Sequence, residues 1–410
     1  MEIGGVSQAK SNRWVVDREG WSPPVRSAQR NPISNTHALH TAHVETSRLE
    51  TLLNASPSNV LGAVLYDRGP GQPRGFGACP VVSLDLPQFN EPPLAEVWTS
   101  TLPVTYHQAE GIHFAMNDEV LFGALQLEER PGTPLDLVTY TAYRRLLIQA
   151  RALGYPHLLR VWNYFPHINR ESDGLTRYQR FCVGRHQALA EGLSNFPRTL
   201  PAGTAVGTTS GPLDINFLAA REPGTHVENP RQVSAYEYPP VYGPRSPSFA
   251  RATLRPSVSG SHLLIAGTAS VVGHVSEHIG APHQQTLEIL RNLNALITHT
   301  EQLHGVTRGQ GYGQALFKVY IRHPEHFATV SDILKEQLPL HTQVLYLQGE
   351  MCRSELLLEI EGILGQEKTI DVSQTVSPTR VRLRQPATSQ HAQPDSFKTA
   401  SSPTSIPHSL

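Results

Sequence analysis

Alternating polar and apolar positions mark the last strand that the sequence predicts, residues 355–361. Apolar residues at the even positions form one face of this strand, and the opposite face carries Leu357, Glu359 and Glu361. Because an unpaired charge is costly to bury, these carboxylates must meet solvent, a cation or a reacting ligand. The pattern is therefore compatible with a solvated strand face or with an acidic reactive site.

The first half of the chain alternates strands with helices of regular apolar periodicity. The helix predicted over 137–153 is followed by Gly154, because glycine readily adopts the left-handed backbone conformation with which many helices end. A Gly/Pro-rich loop is predicted at 69–77. The predicted elements are strands at 61–68, 118–128 and 157–165 and helices at 137–153 and 177–193.

The second half repeats this order. Pro324 opens its second helix, at a position where a missing N–H does no harm. The repetition predicts an internal duplication, and strands on one side with two helices on the other predict an α+β layer sandwich. The predicted elements are strands at 261–272, 315–322, 344–347 and 355–361 and helices at 284–300 and from 324.

Composition shifts divide the chain into four predicted parts. Residues 1–45 are polar without periodicity and predict a mobile extension, and 366–410 are rich in Ser, Thr, Pro and Gln and predict a disordered tail. The two domains are predicted over 46–220 and 221–365. A proline-rich segment from 221 to about 247 opens the second domain, and it predicts either a functional loop or an interdomain crossing whose rings cover core.

Charge and cysteine content narrow the class of function. The 410 residues contain 34 Lys plus Arg and 35 Asp plus Glu, so the net charge favours neither a nucleic-acid nor a membrane partner, and a small-molecule partner is expected. Three cysteines without a C-x-x-C pair predict a reducing compartment. The sequence has no run of 18 apolar residues and no signal-like start, and a soluble, cytoplasmic protein is expected.

Familiar nucleotide, zinc-protease and hydrolase motifs are missing from the sequence. His274 and His278 are four residues apart and could share a helical face as metal ligands, but no third ligand stands at a known spacing. The polar run G-T-A-S-V-V-G-H, which ends at His274, favours instead a pocket lined by hydroxyl and backbone N–H donors. No metal is therefore predicted.

Several arginines stand beside aromatic residues at the ends of predicted strands and loops. An arginine fork binds a carboxylate with two hydrogen bonds, so this set suits an acidic, ring-shaped ligand. Surface arginines stacked on rings would give the same pattern. Arg322 ends an apolar strand and is the arginine for which function is favoured. The set comprises Arg177, Arg180, Arg245, Arg251 and Arg322.

Five segments in order resemble the chorismatases, within the wider YjgF/Rid-like superfamily of reactive-intermediate deaminases. The resemblance covers about 60–365. It implies two tandem YjgF/Rid-like (chorismate-mutase-like) layer-sandwich domains, the N-terminal one divergent, in a monomer. It also implies a cofactor-free release of pyruvate from chorismate at one site between the domains. The segments are R-V-W-N-Y-F-P-H-I-N, T-R-Y-Q-R-F-C-V-G-R, Y-P-P-V-Y-G-P-R-S-P-S-F-A-R-A, G-T-A-S-V-V-G-H and C-R-S-E-L-L-L-E-I-E.

Glu359 matches the acid of this family. Cleavage of an enolpyruvyl ether is easiest when a positioned acid protonates the methylene carbon, so this carboxyl must hold a proton near neutral pH. Arginines would clamp the dianionic substrate, and Arg180 and Arg322 are the candidates. Tyr242 and Arg245, from the proline-rich loop, are candidates for a lid or a contact to the ring.

Cys352 is implied to select the product. Family members with cysteine at this position tend to form 3-hydroxybenzoate through the C4 hydroxyl of the substrate, whereas those with alanine admit water. A small residue that only shapes the wall would also fit. Hydroxybenzoate-forming members tend to carry glycine near Ala266 and Gly267, and both residues are candidate substrate contacts.

The sequence thus predicts a chorismatase that forms 3-hydroxybenzoate and pyruvate. Within the family, the alternative is a hydrolase that forms a 4,5-dihydroxycyclohexa-1,5-diene-carboxylate and pyruvate. Outside it, a Rid-like imine deaminase or a non-catalytic binding module remains open. The proline-rich Tyr/Arg loop favours a chorismatase, because single-domain deaminases have no equivalent loop and work as trimers.

Overall fold

An N-terminal sheet of four strands and one helix begins the part of the chain that the structure describes. The structure is a computed structural model, and it describes residues 39–55, 57–66, 78–257, 260–304, 314–340 and 342–366. The sheet has the strand order β1-β4-β2-β3. Its elements are β1 (Leu39–Glu45), α1 (Thr46–Ala55), β2 (Val60–Tyr66), β3 (Val81–Leu84) and β4 (Leu94–Ser100).

Strand β1 contradicts the predicted mobile extension over 1–45 in the part that the structure describes, Leu39–Glu45. It pairs antiparallel with β4 from Leu39 to Glu45. Its sequence, L-H-T-A-H-V-E, is rich in polar residues that the fold buries, so it has no clear apolar alternation. The predicted strand at 61–68 is confirmed over its described part by β2, Val60–Tyr66, and residues 67 and 68 lie outside the described residues. The predicted loop at 69–77, residues 1–38 and residues 367–410 of the predicted tail lie outside the described residues.

The next unit is a six-stranded sheet with two helices on one face. Its strand order is β11-β8-β12-β7-β6-β5, and β8 and β11 are parallel. Its elements are β5 (Thr105–Ala109), β6 (Ile112–Met116), β7 (Val120–Leu127), α2 (Leu135–Ala152), β8 (His157–Pro166), β9 (Glu171–Ser172), β10 (Leu175–Thr176), α3 (Arg177–Gly192), β11 (Ala202–Thr208) and β12 (Leu213–Ala220).

A second six-stranded sheet follows the first in the chain. Its strand order is β13-β14-β15-β20-β18-β19, and β18 and β19 are parallel. Its elements are β13 (Thr225–Val227), β14 (Ala252–Ser257), β15 (Gly260–Ala269), β16 (Val271–Val272), β17 (Val275–Ser276), α4 (Pro282–His304), β18 (Gln314–Ile321), α5 (Phe327–Gln337), β19 (Gln343–Gln348) and β20 (Leu358–Gln366).

The two six-stranded sheets have the same topology. Three sheet strands, a helix, a sheet strand, a helix and two sheet strands occur in the same order in each unit, and each last strand lies in the middle of its sheet. The pairs β9–β10 and β16–β17 form separate two-stranded ribbons at different places in this order. The α+β class and the tandem layer sandwiches are therefore confirmed. The domain boundaries at 46, 221 and 366 stay predictions.

Each six-stranded sheet buries one face under its own two helices and turns the other face toward its neighbours. Val330 of α5 and Ile360 of β20 belong to one helix-covered core, and Phe181 of α3 to the other. Trp98, Trp162 and Tyr320 come from three different sheets and share a central core. The space between the sheets is thus formed by all three parts of the fold.

The last strand confirms its predicted alternation only from Leu358 onward. Leu358 and Ile360 pack toward the helices, and Glu359 and Glu361 point the other way. Leu357 also belongs to the helix-covered core, although the sequence pattern places it on the same face as Glu359 and Glu361. The prediction is wrong here because β20 begins at Leu358 rather than at residue 355. A turn, in which the Leu356 N–H bonds the Arg353 carbonyl, precedes it.

Apart from β1, eleven strands within the described residues were not predicted: β3 to β6, β9 to β14 and β17. Burial on both faces hides the alternation of the central ones, whereas β5 and β9 are short and mostly exposed. Strand β12 is buried at every position, and β11, A-G-T-A-V-G-T, is made of small residues. No helix within the described residues is long and apolar enough to span a membrane.

Candidate active site

Glu359 lies on the inner face of β20, in the space between the two six-stranded sheets. It pairs with Tyr320 of β18 on one side and with Ala269 of β15 on the other. The side chain is 5% exposed. Among the described residues, no hydrogen-bond donor or cation contacts its carboxyl group. A buried carboxyl without partners is a favourable position for a proton.

A β-bulge at Ala266 and Gly267 makes room for this carboxyl. Two residues of β15 stand opposite the single residue Glu361 of β20, because the pairing shifts between Ile265 and Thr268. A Cβ atom on Gly267 would lie 1.8 Å from Oε1 of Glu359. Only glycine therefore allows the carboxyl to occupy its observed position.

Glu361, two residues further on the same face, is in the opposite situation. It is 1% exposed, and hydrogen-bond donors surround both of its oxygens. Oε1 lies 2.6 Å from Lys318 Nζ, and Oε2 lies 2.6 Å from Arg160 Nη2. The side chains that donate to Glu361 are those of Arg160, Trp162, Thr204, Lys318 and Tyr320.

Lys318 links this carboxylate to the N-terminal sheet. Its Nζ lies 2.6 Å from Glu361 and 3.0 Å from Oε2 of Glu96 on β4. Arg160 of β8 completes the group. We call these four side chains, Glu96, Arg160, Lys318 and Glu361, the central ion network. It joins all three sheets.

These surroundings separate the two neighbouring carboxyls electrostatically. Burial, and then the charge of Glu361, raises the pKa of Glu359 to about 8. Burial alone would also raise the pKa of Glu361, but Lys318 and Arg160 hold it below its ordinary value. At neutral pH, Glu359 is thus protonated in the free protein and Glu361 is ionised.

Cys352 lies on the turn that precedes β20, partly buried against the central core. Burial, and then the nearby Glu359, raises the pKa of its thiol to about 12, so it is not a thiolate at neutral pH. Arg322 braces this turn by donating to the carbonyls of Met351, Arg353 and Leu356. Because its guanidinium also donates to the Asn169 side chain, few of its N–H groups are left for a ligand.

The proline-rich segment lies beside the same turn. The Arg353 guanidinium stacks on the Tyr242 ring at 3.9 Å and donates to the His274 carbonyl. The Tyr242 hydroxyl lies 3.1 Å from Nδ1 of His274, and the Gln179 amide of α3 donates to the Tyr242 carbonyl. The segment is therefore fixed to the turn that carries Cys352, and its role as a functional loop stays a prediction.

Local sequence explains the position of α3. Thr176 and Gln179 form a capping box, in which the Thr176 hydroxyl accepts from the Gln179 N–H and the Gln179 amide oxygen accepts from the Thr176 N–H. This cap starts the helix at Arg177. It therefore places Gln179 within reach of the proline-rich segment.

The other predicted site residues are spread more widely. Arg180 pairs with Asp173 at 3.0 Å, and Arg245 is exposed near His186. No contact joins Arg180 or Arg245 to Glu359 among the described residues, and their roles stay predictions. Ala266 is buried, and its N–H donates to the Arg251 carbonyl; its contact with the substrate stays a prediction.

The two spaced histidines do not share a helical face. His274 precedes β17, and His278 lies in the turn before α4 with a positive φ of 58°. His278 Nε2 lies 3.5 Å from Glu288. Within the described ranges, no group of three or more His, Cys, Asp or Glu side chains is arranged to hold a metal ion.

Sequence reasoning missed the residues that surround Glu361. Arg160 and Trp162 stand at alternate positions of β8, which was a detectable signal of a polar strand face. Lys318 lies two residues before Tyr320 in β18, so both side chains are on the same face of the strand. Their convergence on one carboxylate depends on how the sheets face each other, and no local pattern encodes that.

A family model described as "Chorismatase FkbO/Hyg5-like, N-terminal" matches residues 96–219. A 3-hydroxybenzoate synthase of Streptomyces hygroscopicus is 34% identical over 314 residues, which are 75% of this chain and 92% of the relative. A chorismatase of the same organism is 36% identical over 75% of this chain and 89% of the relative.

A solved structure of a similar protein shares the fold of this chain. A crystal structure of a chorismatase superposes with a TM-score of 0.73 at 34% identity, and the match covers 81% of this chain and all of the other. It confirms the predicted two-domain fold at the level of the whole architecture.

The raised pKa of Glu359 predicts a pH-dependent stability. The folded state holds this proton up to about pH 8, whereas an unfolded glutamic acid releases it near pH 4.3. The folded protein therefore binds more protons between these values, and its stability falls as the pH rises through them. Glu359→Gln should be more stable than the parent at pH 8 by on the order of a few kcal/mol, and this gain should shrink toward pH 5.

Urea denaturation of both proteins from pH 5 to pH 9 measures this difference. Glu336→Gln, which neutralises an exposed carboxylate on α5, is the matched control and should show no such trend. A gain that is constant with pH would contradict the assigned protonation.

Proposed function

This chain belongs to the chorismatase family, and we propose that it cleaves chorismate to 3-hydroxybenzoate and pyruvate with Glu359 as the proton donor. The observation that carries the proposal is the buried, unpartnered Glu359 carboxyl, whose pKa is raised to about 8 beside an ionised Glu361. A proton donor of this kind suits an enol ether, because the methylene carbon is a weak base that needs a positioned acid.

Protonation of the methylene carbon would begin the reaction. The Glu359 proton forms the methyl group of pyruvate and leaves an oxocarbenium centre on the side chain. The C4 hydroxyl oxygen then attacks ring C3 as the bond between C3 and the ether oxygen breaks, and the electron pair of that bond stays with pyruvate. The attack forms an epoxide across C3 and C4 and releases the hydroxyl proton, which restores Glu359. Opening of the epoxide at its C4–O bond, with transfer of the C3 hydrogen to the oxygen as a proton, aromatises the ring and leaves the hydroxyl on C3.

Exclusion of water would decide the product. The atoms of 3-hydroxybenzoate and pyruvate together equal those of chorismate, whereas the dihydrodiol requires one added water. The neutral thiol of Cys352, on a turn fixed by Arg322 and Arg353, fits a wall that keeps water from the oxocarbenium centre. Without this thiol, the C4 hydroxyl of the substrate would have to compete with water.

We further propose that one chain forms the complete site in the cytoplasm, as a monomer. Glu359 and Glu361 come from the second six-stranded sheet, and Arg160 and Thr204 come from the first. A site formed by two duplicated halves of one chain requires no second subunit.

Glu359→Gln should abolish turnover. With chorismate and no added metal or nucleotide, the parent protein should release equimolar pyruvate, and the variant should be slower by on the order of 10²–10⁴-fold. In the parent, kcat/KM should be constant at lower pH and should fall as the pH rises through about 8, because the reactive form is the protonated one.

Pyruvate assays with Glu336→Gln, which should match the parent, control for the loss of a carboxylate. Pyruvate release by Glu359→Gln at the parental rate would refute the role of this residue. Absence of pyruvate from a folded parent protein would refute the proposed function.

Cys352→Ala should move the product from 3-hydroxybenzoate toward the dihydrodiol, because removal of the thiol opens space for water near the oxocarbenium centre. Chromatography of the ring product measures the ratio. Cys79→Ala, which removes a buried thiol from the core of the N-terminal sheet, is the control and should leave the ratio unchanged. An unchanged ratio in Cys352→Ala would reject product control by this residue.

Gly267→Ala should displace the Glu359 carboxyl, whose Oε1 would otherwise lie 1.8 Å from the new Cβ. Because the displaced group is the end of a flexible side chain, we expect a loss of kcat/KM of roughly 10²-fold with little change in melting temperature. Gly132→Ala, at a turn with φ of +81° and open space around it, should lower the melting temperature and leave kcat/KM unchanged. Full activity of Gly267→Ala would contradict the assigned position of the carboxyl.

A further inference from the structure

We propose that Glu361 is a positioning residue for the reaction, an ionised carboxylate that keeps the transferable proton on Glu359. The inference rests on the proposed role of Glu359 as acid, and it assigns a separate function to the second carboxyl of the strand. Glu361 neither contacts the substrate nor transfers a proton in this scheme.

The hydrogen bonds of Glu361 fix its protonation state. The groups that surround its two oxygens are an ammonium, a guanidinium, an indole N–H and two hydroxyls. The first three can only donate. A protonated carboxyl would have to donate one hydrogen itself and would leave a buried donor without an acceptor. The arrangement therefore suits a carboxylate and disfavours a carboxylic acid.

The charges of the central ion network balance without Glu359. Arg160 and Lys318 are two cations, and Glu96 and Glu361 are two anions, all within the same buried cluster. Ionisation of Glu359 would add a third anion on the same strand face as Glu361. Since no donor compensates it, the added charge would be costly at this depth.

Two guanidiniums, those of Arg160 and Arg251, lower the pKa of Glu359, but burial and the charge of Glu361 outweigh them. Nη2 of Arg160 donates to Thr204 and Glu361, and Nη2 of Arg251 donates to the Val233 carbonyl and the Tyr238 hydroxyl. The remaining neighbours on the adjacent strands, Tyr320 and Ala269, carry no charge that could balance an ionised Glu359. The nearby Cys352 is a neutral thiol at neutral pH.

Thr204 connects the position of Glu361 to that of Glu359. Its hydroxyl donates to Oε2 of Glu361 at 2.5 Å and accepts from the Gly267 N–H at 2.9 Å. Gly267 is the residue over which the Glu359 carboxyl lies. The ionised carboxylate and the bulge that holds the acid are thus joined through one side chain of the first six-stranded sheet.

Glu361→Gln tests the proposal, because the amide has nearly the same shape and carries no charge. The decline of kcat/KM at high pH should move to lower pH by about one unit or more. Glu96→Gln is the matched control, since it also neutralises a buried carboxylate on Lys318 Nζ but lies on a different sheet. Its pH midpoint should equal that of the parent even if its rate is lower.

A second variant covers the case in which Glu361→Gln does not fold. Lys318→Met with Glu361→Gln removes one cation and one anion together, which leaves the network balanced. Lys318 is not among the charges that act on Glu359, so this double variant should show the same shift toward lower pH.

A measurement without substrate separates this inference from the proposed function. The stability gain from Glu359→Gln rises with pH and levels off at the pKa that Glu359 has in the folded protein. It should level off at a lower pH in the Glu361→Gln background than in the parent, and at the parental pH in the Glu96→Gln background. This outcome would support the inference even if chorismate were not cleaved. Equal pH midpoints in the Glu361→Gln and parent backgrounds, or an equal shift in Glu96→Gln, would overturn it.

Discussion

The buried ion pairs among Glu96, Arg160, Lys318 and Glu361 are the interaction on which the rest of this structure depends. Charges at this depth are tolerated only when each one is paired and hydrogen-bonded, and removal of one partner typically costs about 3–5 kcal/mol. Because the four residues come from three sheets, the network can form only when all three are in place. Neither six-stranded unit therefore contains a complete site by itself.

The network also explains why the neighbouring acid can remain neutral. The charges of the network are matched, and burial together with the charge of Glu361 outweighs the two guanidiniums, those of Arg160 and Arg251, that act on Glu359. The bulge at Gly267 gives the neutral carboxyl its space. The hydrogen bonds that stabilise ionised Glu361 thus leave Glu359 in a position where its ionised form is unstable and its proton is available. Active sites commonly trade stability for reactivity in this way.

Local periodicity was enough to predict part of this arrangement. The alternation in β20 placed Glu359 and Glu361 on one face, and the helices α2 to α5 were predicted within a few residues of their observed bounds. The repeated order of strands and helices predicted the duplication. This order is visible in the sequence because each unit buries one face of its sheet under two helices with regular apolar periodicity. The resemblance to chorismatases, rather than periodicity, directed attention to Cys352.

The remainder depends on contacts between distant segments. Strand β12 is central and fully buried, so its pattern resembles any apolar run, and β1 buries histidine and threonine that look solvated in the sequence. The sequence pattern allows a solvated face for Glu361, whereas the fold surrounds it with five donors from strands up to 201 residues away. The guanidinium of Arg322 holds the turn before β20, a contact that no local pattern indicates, and its role as a substrate ligand stays a prediction.

The protonation state of Glu359 is the central claim, and infrared difference spectroscopy between the parent protein and Glu359→Gln measures it most directly. A C=O stretching band of a protonated carboxylic acid should be present in the parent at pH 7 and should disappear with a midpoint near pH 8. If the Glu359 band is already that of a carboxylate at pH 6, the account of this site is wrong.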